Sequence, residues 1–378
     1  MKVTISVGGK FHAFHLAGQL EKRGYLDMIF TSYPWFAVKD SSLPRNKVKC
    51  IPSKEILDRG WRKIPYLGRK IDITPFLFDY FDDQVAKRLK PCGIFVGASG
   101  YSLRSIKRVR SLSPAKVIIE CVSGHIHADL DILNQEEERL GVRLTRFSSY
   151  VVEKTLEEYN QADYIVVPSA FSRQTFLDKG FPEEKIICVP WGVDTELFRP
   201  SFKKDSAFRI IVVGMRTIKG IQYILQAVNE LRLKDLEVCL IGGSADEGAR
   251  AIMKKHPGNF RYLGAVPQRE LRKHYSQGSL SVLFSLSDGF GMALLEAMAC
   301  GLPVICSDRV GAKRAIRENI DGYVVPARDV KTLKEKINYL YENQEVCRQM
   351  GKRARENMVN NFTWGHYGEK VIAAYLKL

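Results

Sequence analysis

The sequence predicts an α/β protein of two doubly wound, Rossmann-like domains that face each other across a cleft. Three observations lead there. The chain has 378 residues, enough for two domains that each hold a full core. Short apolar runs alternate with helix-like stretches along most of it, the pattern of parallel sheets covered by helices. The alternation breaks at Pro190-Trp-Gly-Val-Asp-Thr-Glu-Leu-Phe-Arg-Pro200 and the polar residues 201–206, and then restarts. Two prolines and a charged stretch mark an inter-domain connection, so the domains are placed at 1–195 and 207–362.

The elements follow in order. Residues 2–7 read as a strand that ends in the turn Gly8-Gly9. Ligands approach parallel sheets at such strand ends, which makes Gly9 and Lys10 cleft candidates. A helix over 14–23 stops at Gly24, and a strand over 28–31 follows. Strands are expected at 93–97, 116–121 and 164–168, the last preceded by a helix over 150–160. In the second half, strands at 208–214, 237–242, 260–263, 280–285 and 304–307 alternate with helices at 221–231, 250–255 and 269–277.

The most specific run is Ser287-Asp-Gly-Phe-Gly-Met-Ala-Leu-Leu-Glu-Ala-Met-Ala-Cys-Gly-Leu-Pro-Val-Ile305. It reads as a turn, a short helix over 292–300, a stop at Gly301 and a buried strand after Pro303. Asp288 and the turn Gly289-Phe290-Gly291 therefore sit at a helix N-terminus, where free N–H groups and the positive dipole end accept an anion. Glu296 lies among Leu294, Leu295, Ala297 and Met298, so its carboxylate enters a mostly buried environment. A charge there is costly unless something pairs with it. A capping box fits poorly, because Glu296 lies about five residues past the expected cap.

This acidic residue, the glutamate eight positions on and the Ala-Met-Ala-Cys-Gly-Leu-Pro-Val-Ile that follows resemble the acidic-x7-Glu signature of a large family of retaining glycosyltransferases, family 4. That family includes sucrose-phosphate synthase and bacterial mannosyltransferases, and usually has Glu where Asp288 stands. Residues 161–169 and 185–194 also resemble family segments, with Trp191 in place of the usual Asn. Residues 33–115 match no named pattern and should hold the acceptor-specific part.

The resemblance implies the GT-B arrangement, with residues 363–378 crossing back onto the first domain. It implies a nucleotide-sugar site in the second domain. Arg216 and Lys219 would compensate the diphosphate, although Arg216 is displaced by one position because Met215 follows Gly214. Gly243 would line a tight turn, Val266 would contact the base, and Glu296 the ribose hydroxyls. Asp288, Gly289, Phe290, Gly291 and Met292 would hold the donor sugar. In the first domain, Ser123-Gly-His-Ile126 resembles the place of the active-site histidine, giving His125, with His127 as the alternative. The implied chemistry is front-face attack, with the departing phosphate helping to deprotonate the acceptor, and needs no metal or other cofactor. Its catalytic residues would be His125, Lys219, Asp288 and Glu296. Asp129-Leu-Asp131 has the D-x-D spacing of a metal motif from another glycosyltransferase fold, but its helical context sets it aside as coincidence.

Composition narrows the partners. None of the eight cysteines forms a C-x-x-C pair, and several lie in apolar runs such as Ile187-Cys188-Val189. That is the pattern of buried thiols in a reducing compartment, hence a cytoplasmic protein. No stretch approaches the ~20 apolar residues of a membrane span, and the apolar start is too short for a signal peptide. The net charge is +16, and residues 39–116 hold 18 Lys and Arg against 7 Asp and Glu, interleaved with Trp61, Tyr66 and Phe76. Such a patch suits nucleic acid, anionic head groups or an acidic substrate. No nucleic-acid motif accompanies it, so the reading taken is peripheral contact with an anionic membrane. The partners expected are a nucleotide-sugar donor and a glycan or lipid-linked acceptor. The competing readings are a sugar-nucleotide epimerase-type enzyme on the same fold and a non-catalytic membrane- or nucleic-acid-binding module.

Overall fold

A computed structural model describes the chain except for residues 11, 67–70, 143, 145–146, 244 and 257–259. The first domain contains strands β1 (Val3–Val7), β2 (Leu26–Thr31), β3 (Val48–Cys50), β4 (Ile94–Ala98), β5 (Lys116–Glu120), β6 (Tyr164–Val167) and β7 (Ile186–Cys188). Its helices are α1 (Ala13–Lys22), α2 (Trp35–Val38), α3 (Ser53–Arg62), α4 (Thr74–Ala86), α5 (Leu103–Leu112), α6 (Ile126–Leu140), α7 (Ser149–Gln161) and α8 (Ala170–Leu177). The second domain contains β8 (Phe208–Val213), β9 (Leu236–Ile241), β10 (Arg261–Tyr262), β11 (Leu280–Leu283), β12 (Val304–Ser307) and β13 (Gly322–Val325). Its helices are α9 (Ile221–Leu231), α10 (Glu247–Lys255), α11 (Gln268–Ser276), α12 (Met292–Ala299), α13 (Val330–Glu342) and α14 (Gln344–Asn361), and α15 (Trp364–Tyr375) ends the chain.

Both sheets are parallel, in the orders β3-β2-β1-β4-β5-β6-β7 and β10-β9-β8-β11-β12-β13. Each order reverses once, at β1/β4 and at β8/β11. Ligands of doubly wound sheets bind outside the strand ends at such a reversal. Helices cover both faces, so the strands are apolar without alternation; β12, for example, is buried at all four positions.

The crossing-back expectation holds. Tyr367, Val371, Ile372 and Tyr375 of α15 join Leu16 and Leu20 of α1 in the first-domain core. The connecting segment is less of a linker than expected. Phe198 is buried in the second-domain core and meets Tyr275 edge-on, while the Arg355 guanidinium donates to the carbonyls of Thr195 and Phe198. The residues after Pro200 are also tied to the second domain, Ser201 N donating to Ser276 Oγ at 3.1 Å and Lys203 Nζ to Ser279 Oγ at 2.7 Å. Cys188 departs from the buried-thiol reading: it is exposed, because β7 is the edge strand of its sheet.

Candidate donor site at the switch point of the second sheet

The strands that flank the second reversal, β8 and β11, carry the two loops singled out in the sequence. After β8, Thr217–Lys219 form a single 3-10 turn that Asp246 anchors. Its carboxylate accepts from the Thr217 backbone N–H at 2.9 Å and from Thr217 Oγ1 at 2.6 Å. Gly220 follows in the left-handed region (φ 72°), and a Cβ there would lie 1.9 Å from the carbonyl oxygen of Phe284. Only glycine lets the turn lie this close to the end of β11. The turn directs Lys219 to Asp288: Nζ donates to Asp288 Oδ2 at 2.6 Å, between groups 69 residues apart. Ser285 Oγ reaches the same carboxylate oxygen at 3.4 Å.

Asp288 precedes α12, whose first turn opens at Gly291 (φ 86°). The first N–H groups of a helix have no intrahelical acceptor, so the loop gathers free donors beside a lysine. The carbonyls here are occupied instead, since Asp288 O accepts from Gly311 N at 2.9 Å and Phe290 O from Ala312 N at 2.6 Å.

Glu296, within α12, is buried as expected, but among the described residues no cation pairs with it. Gln268 Nε2 and the Tyr275 hydroxyl each donate to it at 3.3 Å. Burial pushes its carboxyl up to about 7, and the two hydrogen bonds only partly oppose this. Gln268 follows the loop of Val266, which is half-buried against the same core, and Gly243 stands close to Ala265 of that loop. Gly243 thus neighbours the loop of Ala265 and Val266, and Gln268, two residues after Val266, reaches Glu296. Sequence reading missed Gln268 and Tyr275; the signal was a polar residue directly after Val266-Pro267, at the start of α11.

Two further candidates, Arg216 and His125, sit in contrasting surroundings. Met215 is buried beside Gly242, so Arg216 turns outward, exposed, with its guanidinium making no hydrogen bond or ion pair to a described residue. His125 is the N-cap of α6: Nδ1 accepts from the His127 backbone N–H at 3.2 Å, and the ring packs on Phe176 and Tyr159 of the first-domain core. That burial lowers it to about 4. Capping and aromatic packing thus decide the direction of the ring. His127 is exposed.

In the first domain, the other candidates lie at the turn after β1. Gly9 O accepts from Thr31 Oγ1 at 2.7 Å, and Lys10 is exposed with Nζ 3.3 Å from Ala37 O. Two residues on, His12 Nε2 lies 2.8 Å from Glu120 Oε2 at the end of β5, and its ring stacks on Trp191 at 4.3 Å. Trp191 in turn meets Phe290 edge-on at 5.3 Å, so one indole joins the β1 turn to the loop of Asp288. The D-x-D carboxylates diverge: Asp129 accepts from Ser287 Oγ, whereas Asp131 pairs with Lys179.

Comparison with known proteins bears on the family and the fold. Residues 193–357 match the family described as glycosyl transferases group 1. A D-inositol 3-phosphate glycosyltransferase of Paenarthrobacter aurescens (strain TC1) is 26% identical over 213 residues, which cover 51% of this chain and 52% of that protein. The chain thus spans about half the length of the curated relatives it matches. Among solved structures, sucrose-phosphate synthase from Thermosynechococcus elongatus superposes with a TM-score of 0.74 at 17% identity, covering 100% of this chain and 98% of that one. Anabaena HepE in complex with UDP and glucose superposes at 0.72 with 15% identity and complete coverage of both chains. The chain therefore has the GT-B fold, and its residues 193–357 are similar to the glycosyl transferases group 1 family.

Proposed function

We propose that the chain is a retaining, metal-independent glycosyltransferase that moves a sugar from a UDP- or GDP-linked donor to a glycan or lipid-linked acceptor. The observation that carries this reading is the meeting of Lys219 and Asp288 at the N-terminus of α12, with Glu296 buried in the same helix. In this reading the donor diphosphate draws Lys219 from Asp288 and takes up the first N–H groups of α12 and the Arg216 guanidinium. Asp288 then accepts from a hydroxyl of the donor sugar, and Glu296 from the ribose. The acceptor oxygen attacks on the face that the diphosphate leaves. The new C–O bond forms as the bond to phosphate breaks, and the acceptor proton passes to the phosphate. Charge on the leaving group grows through this step, so Lys219 contributes most in the transition state.

We also propose that the first domain docks on anionic membrane. Phe36, Ile56, Leu57 and Phe76 are exposed within the basic stretch and its border, and each basic residue near anionic lipid contributes about 1 kcal/mol. Trp61, half-buried with its indole N–H donated to Ile71 O, would not take part. Among the described residues no helix is long and apolar enough to cross a membrane.

A thermal-shift screen with UDP, GDP and ADP, followed by turnover of the matching nucleotide-sugars, tests the enzymatic reading. Stabilisation by one nucleotide and release of its sugar to water or an acceptor supports it. No shift and no turnover refutes it, and a sugar altered while still nucleotide-linked favours the epimerase.

A further inference from the structure

Helix α6 belongs to the first domain, yet one of its faces is docked on the second. Positions 129, 133, 136 and 140 follow the spacing of a single helical face. Asp129 Oδ1 accepts from Ser287 Oγ at 2.6 Å, and both residues are buried. Two turns on, Glu136 is 1% exposed and surrounded by donors of the second domain. Its Oε1 accepts from Gln222 Nε2 and the Tyr223 hydroxyl, both at 2.8 Å, and its Oε2 from Arg328 Nε at 3.2 Å. Leu140 packs against the second-domain core.

Ser287 adjoins Asp288, so the first of these contacts grips the loop that holds the Lys219 pair. Burial raises the Asp129 carboxyl, the Ser287 and Ser123 hydroxyls and the Lys219 charge oppose the rise, and the Asp288 charge adds to it. Asp129 thus lies within electrostatic reach of both members of the pair. The backbone adds to the grip: Gly289 O accepts from Ser169 Oγ at 2.6 Å and Ser172 Oγ at 3.1 Å, both in the first domain. A Cβ at Gly289 would fall 2.2 Å from Val122 O, so the loop and the first domain touch backbone to backbone.

We infer that α6 registers the donor loop on the first domain, with Asp129 and Glu136 as positioning residues for the transfer. The kinetic part of this inference rests on the glycosyltransferase reading; the docking part rests on the contacts alone. Neither residue is placed on substrate. Losing them misplaces the Lys219–Asp288 pair relative to the acceptor wall, while the nucleotide still meets a second domain with its own core.

Full-length Asp129→Ala, Ser287→Ala, the double variant, Asp129→Asn and Glu136→Ala test it. The readouts are turnover of UDP-glucose and GDP-mannose, binding of UDP and GDP, and small-angle scattering. Asp129→Ala and Ser287→Ala are each expected to lower kcat about 10- to 100-fold, with the nucleotide Kd moving less than about threefold. The double variant should be no worse than the poorer single one, since both break one contact. Asp129→Asn keeps an oxygen for Ser287 and should recover most of the rate, and Glu136→Ala should enlarge the scattering envelope as the domains part. Undiminished kcat in folded Asp129→Ala overturns the inference, as do additive losses or a fall in nucleotide affinity that matches the fall in kcat. If the wild type turns over neither sugar nucleotide, the transfer reading fails and scattering decides the docking. Asp129→Ala and Glu136→Ala profiles identical to wild type then overturn it.

Discussion

Replacing Glu296 with Gln should make the protein more stable at alkaline pH and a poorer nucleotide binder. Burial raises the carboxyl of Glu296 from the ordinary 4.5 to about 7, against the two hydrogen bonds donated by Gln268 and Tyr275. A carboxyl raised in the folded state holds its proton there while the unfolded chain releases it. Its contribution is therefore fully present below pH 4.5 and is lost as pH climbs through about 7. At about 1.4 kcal/mol per pH unit, that interval corresponds to about 3 kcal/mol. Gln is isosteric and never ionises, and it can donate to the Tyr275 oxygen. The Gln variant should thus match wild type near pH 4.5 and exceed it by about 3 kcal/mol at pH 8. Urea denaturation of both proteins at pH 5, 6, 7 and 8 measures the difference. A difference flat with pH, or a less stable variant at pH 8, would refute the burial argument. In the same variant the Kd of UDP or GDP, whichever raises the wild-type melting temperature, should increase by ~1–3 kcal/mol in free energy. An unaltered Kd would separate Glu296 from the nucleotide and leave it a costly core residue.

Lys219→Ala should lower kcat more than it weakens binding of the intact donor, because its charge matters most as the diphosphate departs; an unchanged kcat with a raised KM would show that it only holds the ground state. Gly220→Ala must adopt a left-handed backbone and displace the carbonyl of Phe284, so a loss of at least ~1–2 kcal/mol is expected from chemical denaturation, and an unchanged midpoint would contradict the turn geometry. In liposome flotation the protein should favour anionic over neutral vesicles at low salt and release in high salt. Replacing Phe76 with Ser should weaken that preference, and equal partitioning onto both vesicle types would dismiss membrane docking.

Features coded by nearby residues were legible in the sequence. The runs at 208–214, 280–285 and 304–307 became Phe208–Val213, Leu280–Leu283 and Val304–Ser307, because strands buried on both faces need unbroken apolar sequence. Asp288 and Glu296 also hold their places, since one turn and one short helix set their spacing. Helix α14 was equally readable from the buried spacing Cys347, Met350, Ala354 and Met358 and was overlooked. α3 offered less, because Lys54 is its only buried residue and Ile56 and Leu57 face outward.

What the sequence alone determined is therefore the periodic part: two sheets that restart after Pro200, a helix N-terminus at Asp288, and a glutamate inside an apolar helix. Tertiary structure decided who meets whom. Lys219 finds Asp288 only because β8 and β11 are neighbours, an order that no residue of either loop encodes. The His125 ring was turned inward by Phe176 and by the cap of α6, contacts from 2 and 51 residues away that no local pattern announces. Asp129, dismissed as a chance repeat, meets Ser287 at a separation of 158 residues. Side-chain direction and long-range pairing depend on how whole layers stack, and that information is spread over the chain rather than written at the residue it positions.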